Sequence, residues 1–494
     1  VVQSTSFVFK NTLINNYKGS YIKLIDFSNA EEKETKALEV IKNPQCGYYY
    51  ETDQNNFKKI PGMPVAYWAS EKIIKTFIFP KLCEVCETRK GLATSDNNRF
   101  LRLWQEVGFD KVEYNCSSNY ESQIINKKWF PLNKGGDFKR WYGNNEYLIN
   151  WENNGFEIKN FKSSNGKLLS RPQNLSYNFK QAITWTKITS ALFSARMCFG
   201  GFLFDDAAAI CFNADILKLR YIVAFLNSKI CQVVVKIFNP TLNIQIGDVG
   251  NLPICIEDRV YHPIVKLSNN NISISKTDWD SFETSWDFKV HPLLDKDKQN
   301  QVPKTIENSY ENWKPFANSQ FDRLKANEEE LNRIFIKIYG LEDELTPDVS
   351  DKDITIAKIF DTKNEIYDDI KGNRYILTKE DVVKSFISYA VGCMFGRYSL
   401  DTEGLAYAGG KWDDSKYSAF IPDKDNIILI TDEEYFKDDI LNRFVEFVKV
   451  CYGEKTLDEN LKFIADALGG NGTPKEIIRN YFLKYFYKDH VRTY

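Results

Sequence analysis

Residues 216–238 constrain this chain more than any other stretch. Leu219, Ile222, Val223, Phe225, Leu226, Ile230, Val233 and Val234 crowd one segment and leave little polar face for water, so a helix here has to be covered on nearly every side. The run is too short and too interrupted to cross a bilayer, which takes roughly 20 apolar residues. It therefore reads as a core helix around which a unit is built. Asn239-Pro240 ends it, because a residue before proline is pushed out of the helical region. At 494 residues the chain exceeds one ordinary domain, and two or three units are expected, none of them in a membrane.

Punctuation in the sequence sets the limits of those units. The first, 1–59, opens with β-rich runs at 5–10 and 20–27, an antiparallel pair by pattern across a loop carrying Tyr17-Lys18-Gly19. A short helix follows at 30–42, capped by Asn29, with Leu38, Val40 and Ile41 on its buried side. Two strands alone do not hold together in water, so this opening is expected to belong to a sheet that the chain does not supply. Ile60-Pro61-Gly62 begins the second unit, 60–258, with helical spacing at 65–79 and a strand-like run at 82–85. From 259 to 494 the character turns to acidic loops and helices, at 315–339, 377–398, 433–452, 457–468 and 474–487. The expected class is α+β with a mainly helical last unit. Ten cysteines scattered through apolar contexts read as reduced thiols of a cytoplasmic protein. Cys83 and Cys86 form a lone CxxC, short of the four ligands zinc needs, so no metal site is expected.

Chemistry gathers at residues 129–151, WFPLNKGGDFKRWYGNNEYLINW, where glycines, lysines, aromatics and side-chain amides interleave. Lys134, Gly135 and Gly136 can bring bare backbone N–H groups and an ammonium to a phosphate. Asn144 and Asn145 carry the donor and acceptor pair that matches adenine in the major groove. RPQNLSYNFKQAITWTKIT, from Arg171, repeats the mixture. From Lys127 to Arg196 there are twelve Lys/Arg against four Asp/Glu, although the whole chain carries a net charge of −2. One basic lobe on an acidic body is the footprint of a docking face. Ahead of it, KGLATSDNNRFLRLW places Thr94, Ser95, Asp96, Asn97 and Asn98 in a polar turn that is either a solvated loop or a set of phosphate and base contacts. The carboxylate pairs Asp205-Asp206 and Asp413-Asp414 read as solvated or capping groups, so no nuclease is built on them.

Longer motifs carry a resemblance. YWAS at Tyr67, KGLATSDNNRFLRLW at Lys90, the 129–151 stretch continuing to ENNG, SRPQN at Ser170, ITW at Ile183, FLNSK at Phe225, NPTLN at Asn239 and NLPI at Asn251 resemble the PglX family. SYAVGCMFGRYSLDTEGLAYAGG at Ser388 and NYFLKYFYKDHVRTY at Asn480 fit the same family. These are the site-specific adenine DNA methyltransferases of BREX bacteriophage-defence systems. Such enzymes hold a flipped adenine with an Asn- or Asp-Pro-Pro-aromatic motif beside a glycine-rich turn for S-adenosylmethionine. Here the Asn-Pro pairs at Asn43 and Asn239 are each followed by a residue other than proline. The resemblance therefore implies the C-terminal half of the enzyme, without catalytic residues or cofactor of its own, S-adenosylmethionine serving the full-length enzyme. It also implies that the family continues past Tyr494.

By the same resemblance, 1–59 ends a methyltransferase sheet, 60–258 is an α/β target-recognition domain like those of Type I specificity subunits, and 259–494 is a helical C-terminal domain. Double-stranded DNA is the expected partner, with other BREX proteins beside it. Lys134, Lys139, Arg140 and Lys180 are expected on phosphates, and Asn144, Asn145, Arg171 and Asn174 on base edges. Trp141 and Tyr142 press on sugar or support the loop, and Lys90, Thr94, Asn97, Asn98, Gly135, Gly136, Thr184 and Lys187 complete the DNA-binding set. Two competing readings are a protein–protein assembly module of the defence system and the specificity part of a fused restriction-modification enzyme.

Overall fold

The computed structural model describes residues 5–9, 11, 12, 14, 17–239, 241–295 and 304–493. Lys10, Pro240 and Tyr494, which the sequence reading used, lie outside them. Helix and sheet are mixed along the chain, as α+β requires.

The opening is a small layer of its own. Strand β1 (Lys18–Ile22) pairs antiparallel with β2 (Tyr49–Asp53), not with residues 5–9, which form no strand. Between the two strands runs helix α1 (Ala30–Lys42), begun by the Asn29 side chain accepting from the Glu32 N–H at 2.8 Å. Of the three apolar positions expected inside, only Val40 is buried; Leu38 is 54% exposed and Ile41 77%. A two-stranded ribbon is too narrow to cover a helix face of that width.

Two four-stranded sheets make the middle of the molecule. In the first, β3 (Glu87–Arg89), β10 (Ile210–Phe212), β7 (Ala182–Trp185) and β8 (Ala195–Cys198) lie antiparallel in that order. In the second the order is β4 (Leu101–Leu103), β6 (Tyr147–Asn150), β5 (Trp129–Asn133) and β9 (Leu203–Phe204), with only β5 and β9 parallel. Local corrections cluster just ahead of them. Residues 65–79 reduce to a helical turn at Glu71–Lys75 and a 3₁₀ turn, and 82–85 is a turn of helix, not a strand. Leu82 N–H donates to the Leu252 carbonyl at 2.8 Å and its side chain is fully buried, so the segment is pinned end-on against the 251–254 edge. Cys86 and Cys211 are joined as a disulfide between β10 and the start of β3, an exception to the expected free thiols.

The apolar run 216–238 is two helices, α2 (Ile216–Leu226) and α3 (Lys229–Phe238), bent by 73°. Asn227 causes the break by turning its amide onto strand β8, accepting from Ala195 N–H at 2.9 Å and donating to its carbonyl at 3.0 Å. Ser228 then caps α3. Both helices are buried against β7 and β8 through Ile183, Trp185, Ala195 and Met197. Among the described residues no single helix is long and apolar enough to cross a membrane.

This core does not stop at residue 258. Helix α4 (Asp258–Trp279) contributes Ile264, Val265 and Ile272 to it, and the 34-residue helix α5 (Ile306–Tyr339) contributes Phe321, Leu324, Leu331 and Phe335. The other half of α5, from Ile306 through Tyr310 and Trp313 to Ala317, belongs to a second core with α6 (Lys379–Met394), α7 (Ile440–Tyr452), α8 (Leu457–Leu468) and α9 (Pro474–Tyr481). At about 1.5 Å per residue α5 is a beam of about 50 Å shared by both cores. Beyond α9 the backbone passes through a π-helical stretch, Phe482–Phe486, into a last helix, Tyr487–Thr493.

Candidate nucleic-acid interface

The stretch expected to touch DNA is the β5–β6 hairpin with its long loop, 134–146. Gly135 and Gly136 turn it with φ of +91° and +138°, and a Cβ on Gly136 would sit 2.7 Å from the Asn144 amide nitrogen. Past the turn the loop is built into the protein. Lys139, Arg140, Trp141, Tyr142, Asn144 and Asn145 are each 6% exposed or less. Arg140 donates from its guanidinium to Glu328 Oε2 at 2.6 Å, and the Trp141 indole N–H donates to Glu328 Oε1 at 2.6 Å. Lys139 Nζ meets Asp278 at 3.3 Å and lies 4.3 Å from the centre of the Tyr375 ring. Arg140 N–H reaches Thr355 Oγ1 at 3.1 Å, the Tyr375 hydroxyl donates to the Phe138 carbonyl at 2.5 Å, and Arg374 pairs with Asp137 at 2.5 Å.

These placements turn Lys139, Arg140, Asn144 and Asn145 toward protein, away from the expected phosphates and base edges, and give Trp141 and Tyr142 the loop-supporting place that was one of the two expected for them. A charge taken out of water must be paired, and the partners come from α4, α5 and the 351–378 region. The loop joins the sheet layer to the helical layer and has no phosphate-facing charge left at 139 or 140. Burial pushes the Glu328 carboxyl up, against the pull of Arg140, and pushes the Lys139 ammonium down, against the pull of Asp278. Burial likewise takes Arg196, which donates to the Lys139 carbonyl at 3.4 Å, down to about 10. Asn144 spends its amide on the Asp137 carbonyl at 2.9 Å. Thr184 and Thr94 are buried as well, their hydroxyls given to the Ala209 carbonyl at 3.1 Å and to Asn97 Oδ1 at 2.6 Å.

The remaining expected residues fall into two groups. Lys134 and Lys187 are partly buried and face carboxylates, Asp205 at 3.8 Å and Asp206 at 2.8 Å. Burial raises the Asp205 carboxyl, with Lys134 opposing. Asn97, Asn98, Arg171, Lys180 and Gly136 are exposed, with Lys90 and Asn174 half-buried. The structure brings several of these together: Ala93 and Arg171 exchange both backbone hydrogen bonds at 3.1 and 2.9 Å, and Asn174 donates to the Lys90 carbonyl at 2.9 Å. Lys90, Asn97, Asn98, Arg171 and Asn174 thus share one rim, while Lys180 sits over Tyr177 and Phe212.

A cleft of about 3330 Å³ opens between the three layers. Lys23, Lys33 and Lys58 come from the N-terminal layer, Gly136, Ile188 and Lys236 from the sheet layer, and Lys352, Lys371 and Arg374 from the helical layer. Four aspartates, Asp26, Asp53, Asp137 and Asp353, stand among these seven basic side chains, and Asp26 and Asp137 are held by Lys23 and Arg374. Among the described residues no carboxylate pairs with Lys33, Lys58, Lys236 or Lys352 within 4 Å. Of the eighteen residues expected in the site, only Gly136 lines the cleft. The charge of the cleft was missed because it is assembled from three distant stretches, with no local spacing to announce it.

What the fold and cleft define is a layered α+β protein with an open groove lined by seven basic side chains and four aspartates. Over its full length the chain is 42% identical to the adenine-specific methyltransferase PglX of Lacticaseibacillus casei (strain Zhang), and 35% identical to the adenine-specific methyltransferase BrxX of Escherichia coli O9:H4 (strain HS). It spans 40% of the length of each of these relatives. No family model matches the chain. The likeness to these two adenine-specific methyltransferases thus runs along the whole of this chain.

Proposed function

We propose that this chain is the double-stranded DNA recognition part of a BREX-type adenine-specific DNA methyltransferase, whose S-adenosylmethionine is bound elsewhere in the full-length enzyme. The cleft carries the reading: unpaired lysines from three layers converge on one groove, while the chain matches two adenine-specific methyltransferases along its whole length. In this proposal the duplex lies in the cleft. Lys236, Lys352, Lys58 and Lys33 neutralise phosphates, and the rim bearing Lys90, Asn97, Asn98, Arg171 and Asn174 extends the contact. The sheet layer is the recognition domain and the helical layer its support.

Salt dependence tests it. Duplex affinity should fall steeply as salt rises, with a slope of about −0.9 per phosphate neutralised. Lys236→Ala combined with Lys352→Ala should flatten that slope by about 2 and leave folding intact. A slope unchanged in the double variant would remove the cleft from the interface.

A second reading, protein–protein assembly, draws on one observation. The irregular strap at 421–436 exposes Ile421, Ile427, Tyr435 and Phe436 among Asp425, Asp432, Glu433 and Glu434. Arg443 and Arg479 hold it by the carbonyls of Ile421 and Thr431, at 2.5 and 2.8 Å. An acidic apolar surface repels DNA and suits a basic protein face. Ile427→Ser with Tyr435→Ser should then leave the duplex titration unchanged and weaken co-purification with other BREX proteins.

A further inference from the structure

The sheet side of the cleft carries a ridge that the basic residues do not explain. Residues 187–189 and 242–244 run antiparallel: the Thr189 N–H donates to the Leu242 carbonyl at 2.9 Å and the Ile244 N–H to the Lys187 carbonyl at 2.7 Å. Below them Phe193 and Ile244 are buried in the main core, so the ridge has a firm footing. Ile188 is 66% exposed and Leu242 59%, and both line the cleft. Isolated exposed apolar side chains are ordinary. Two of them stand side by side on a braced ridge beside Ser190 and Thr241, while other strongly exposed apolar side chains of the cleft, Phe7, Val8, Phe9 and Val65, stand on irregular backbone, so the ridge pair offers a firm apolar edge to a polyanion in the groove.

Resting on the DNA reading above, we propose that Ile188 and Leu242 form an apolar wedge that inserts between neighbouring base pairs of a bound duplex and kinks it. Base faces are the apolar surface a duplex can offer, and they become available only when a step is unstacked. Unstacking costs free energy, so the inserting side chains must stand on backbone that does not yield. The paired backbone of the ridge meets that need. Lysines on the surrounding walls would hold the backbone of the kinked duplex, Lys236 on the same side and Lys352 across the cleft.

The test uses the 494-residue chain and a random-sequence duplex pool in which 2-aminopurine replaces a fraction of the adenines. At saturating protein, followed by anisotropy, the emission of 2-aminopurine should rise severalfold. Ile188→Ser with Leu242→Ser should still saturate the duplex and lose the rise, whereas the conservative Ile188→Leu should keep it. Both positions are exposed, and far-UV circular dichroism checks that the variants fold. Saturation of the duplex by wild type without a rise, or an equal rise in the double variant, would overturn the wedge and leave DNA recognition standing. Absence of salt-sensitive binding to any duplex would overturn DNA recognition itself and the wedge with it.

Discussion

Glu328 holds two donors of one loop at once, the Arg140 guanidinium and the Trp141 indole, at 2.6 Å each. Removing the carboxylate leaves a buried guanidinium without a counter-charge. Glu328→Ala is therefore expected to lose about 3–5 kcal/mol of stability, read as a lower midpoint in urea. Arg140→Ala with Lys139→Ala should also destabilise the protein, while DNA affinity per folded molecule changes little. A loss of affinity in a fully stable double variant would return these residues to the DNA interface. A second residue-scale prediction concerns His490, whose Nδ1 lies 3.2 Å from Ser388 Oγ. Burial, and then the positive charge of Arg397, depress its pKa below the ordinary 6.5. Because the folded value is the lower one, its contribution to stability is present above about pH 6.5 and is lost as pH falls through the folded value. Melting temperatures taken between about pH 7 and 5 should fall more in wild type than in His490→Gln. Parallel curves would mean that this histidine is not linked to folding.

At the scale of elements, the bend between α2 and α3 is the feature that organises the first sheet. Asn227 acts toward Ala195 as an extra strand would, giving one hydrogen bond and taking another. Asn227→Leu leaves the buried Ala195 N–H without its acceptor, at a cost of about 1–3 kcal/mol, while the Ala195 carbonyl keeps the Trp141 N–H at 3.0 Å. Amide exchange at β8 should accelerate in that variant well before exchange in α6. Equal protection would show that the bend is held by packing alone. Sequence pattern recognised the apolar burden of 216–238 but drew it as a single helix, because Asn227 and Ser228 are tolerable in a helix and their capture by β8 and α3 is a tertiary event. Two other elements were read with the observed bounds: 30–42, begun by the Asn29 cap, and 457–468, followed by Gly469. Residues 82–85 were misread since four residues hold no period, and the contact with Leu252 decides their shape.

At the scale of the whole molecule, α5 belongs to two cores, with Trp313 and Ala317 in one and Phe321 and Leu324 in the other. Neither core can open without exposing part of the beam. Unfolding of the sheet and helical layers is therefore expected to coincide, with tryptophan fluorescence and far-UV circular dichroism tracing one transition. Two separated transitions would show that the layers fold as independent domains and that the 258/259 boundary read from composition is a physical one.

The sequence by itself determined the local chemistry: which residues are apolar, that the last layer is mainly helical, with the bounds of 457–468 but not the start at 306 or 440, that residues 129–151 gather unusual chemistry, and through long motifs the resemblance to PglX. Those properties reside in nearest neighbours and caps, which a linear pattern displays. Tertiary structure alone decided whether a lysine faces solvent or a carboxylate. Lys139 and Lys236 look alike in a string, yet one is locked beside Asp278 and the other lines the open cleft. The reason is that desolvation and pairing depend on residues more than a hundred positions away, brought near by the packing of α4 and α5 against the sheets.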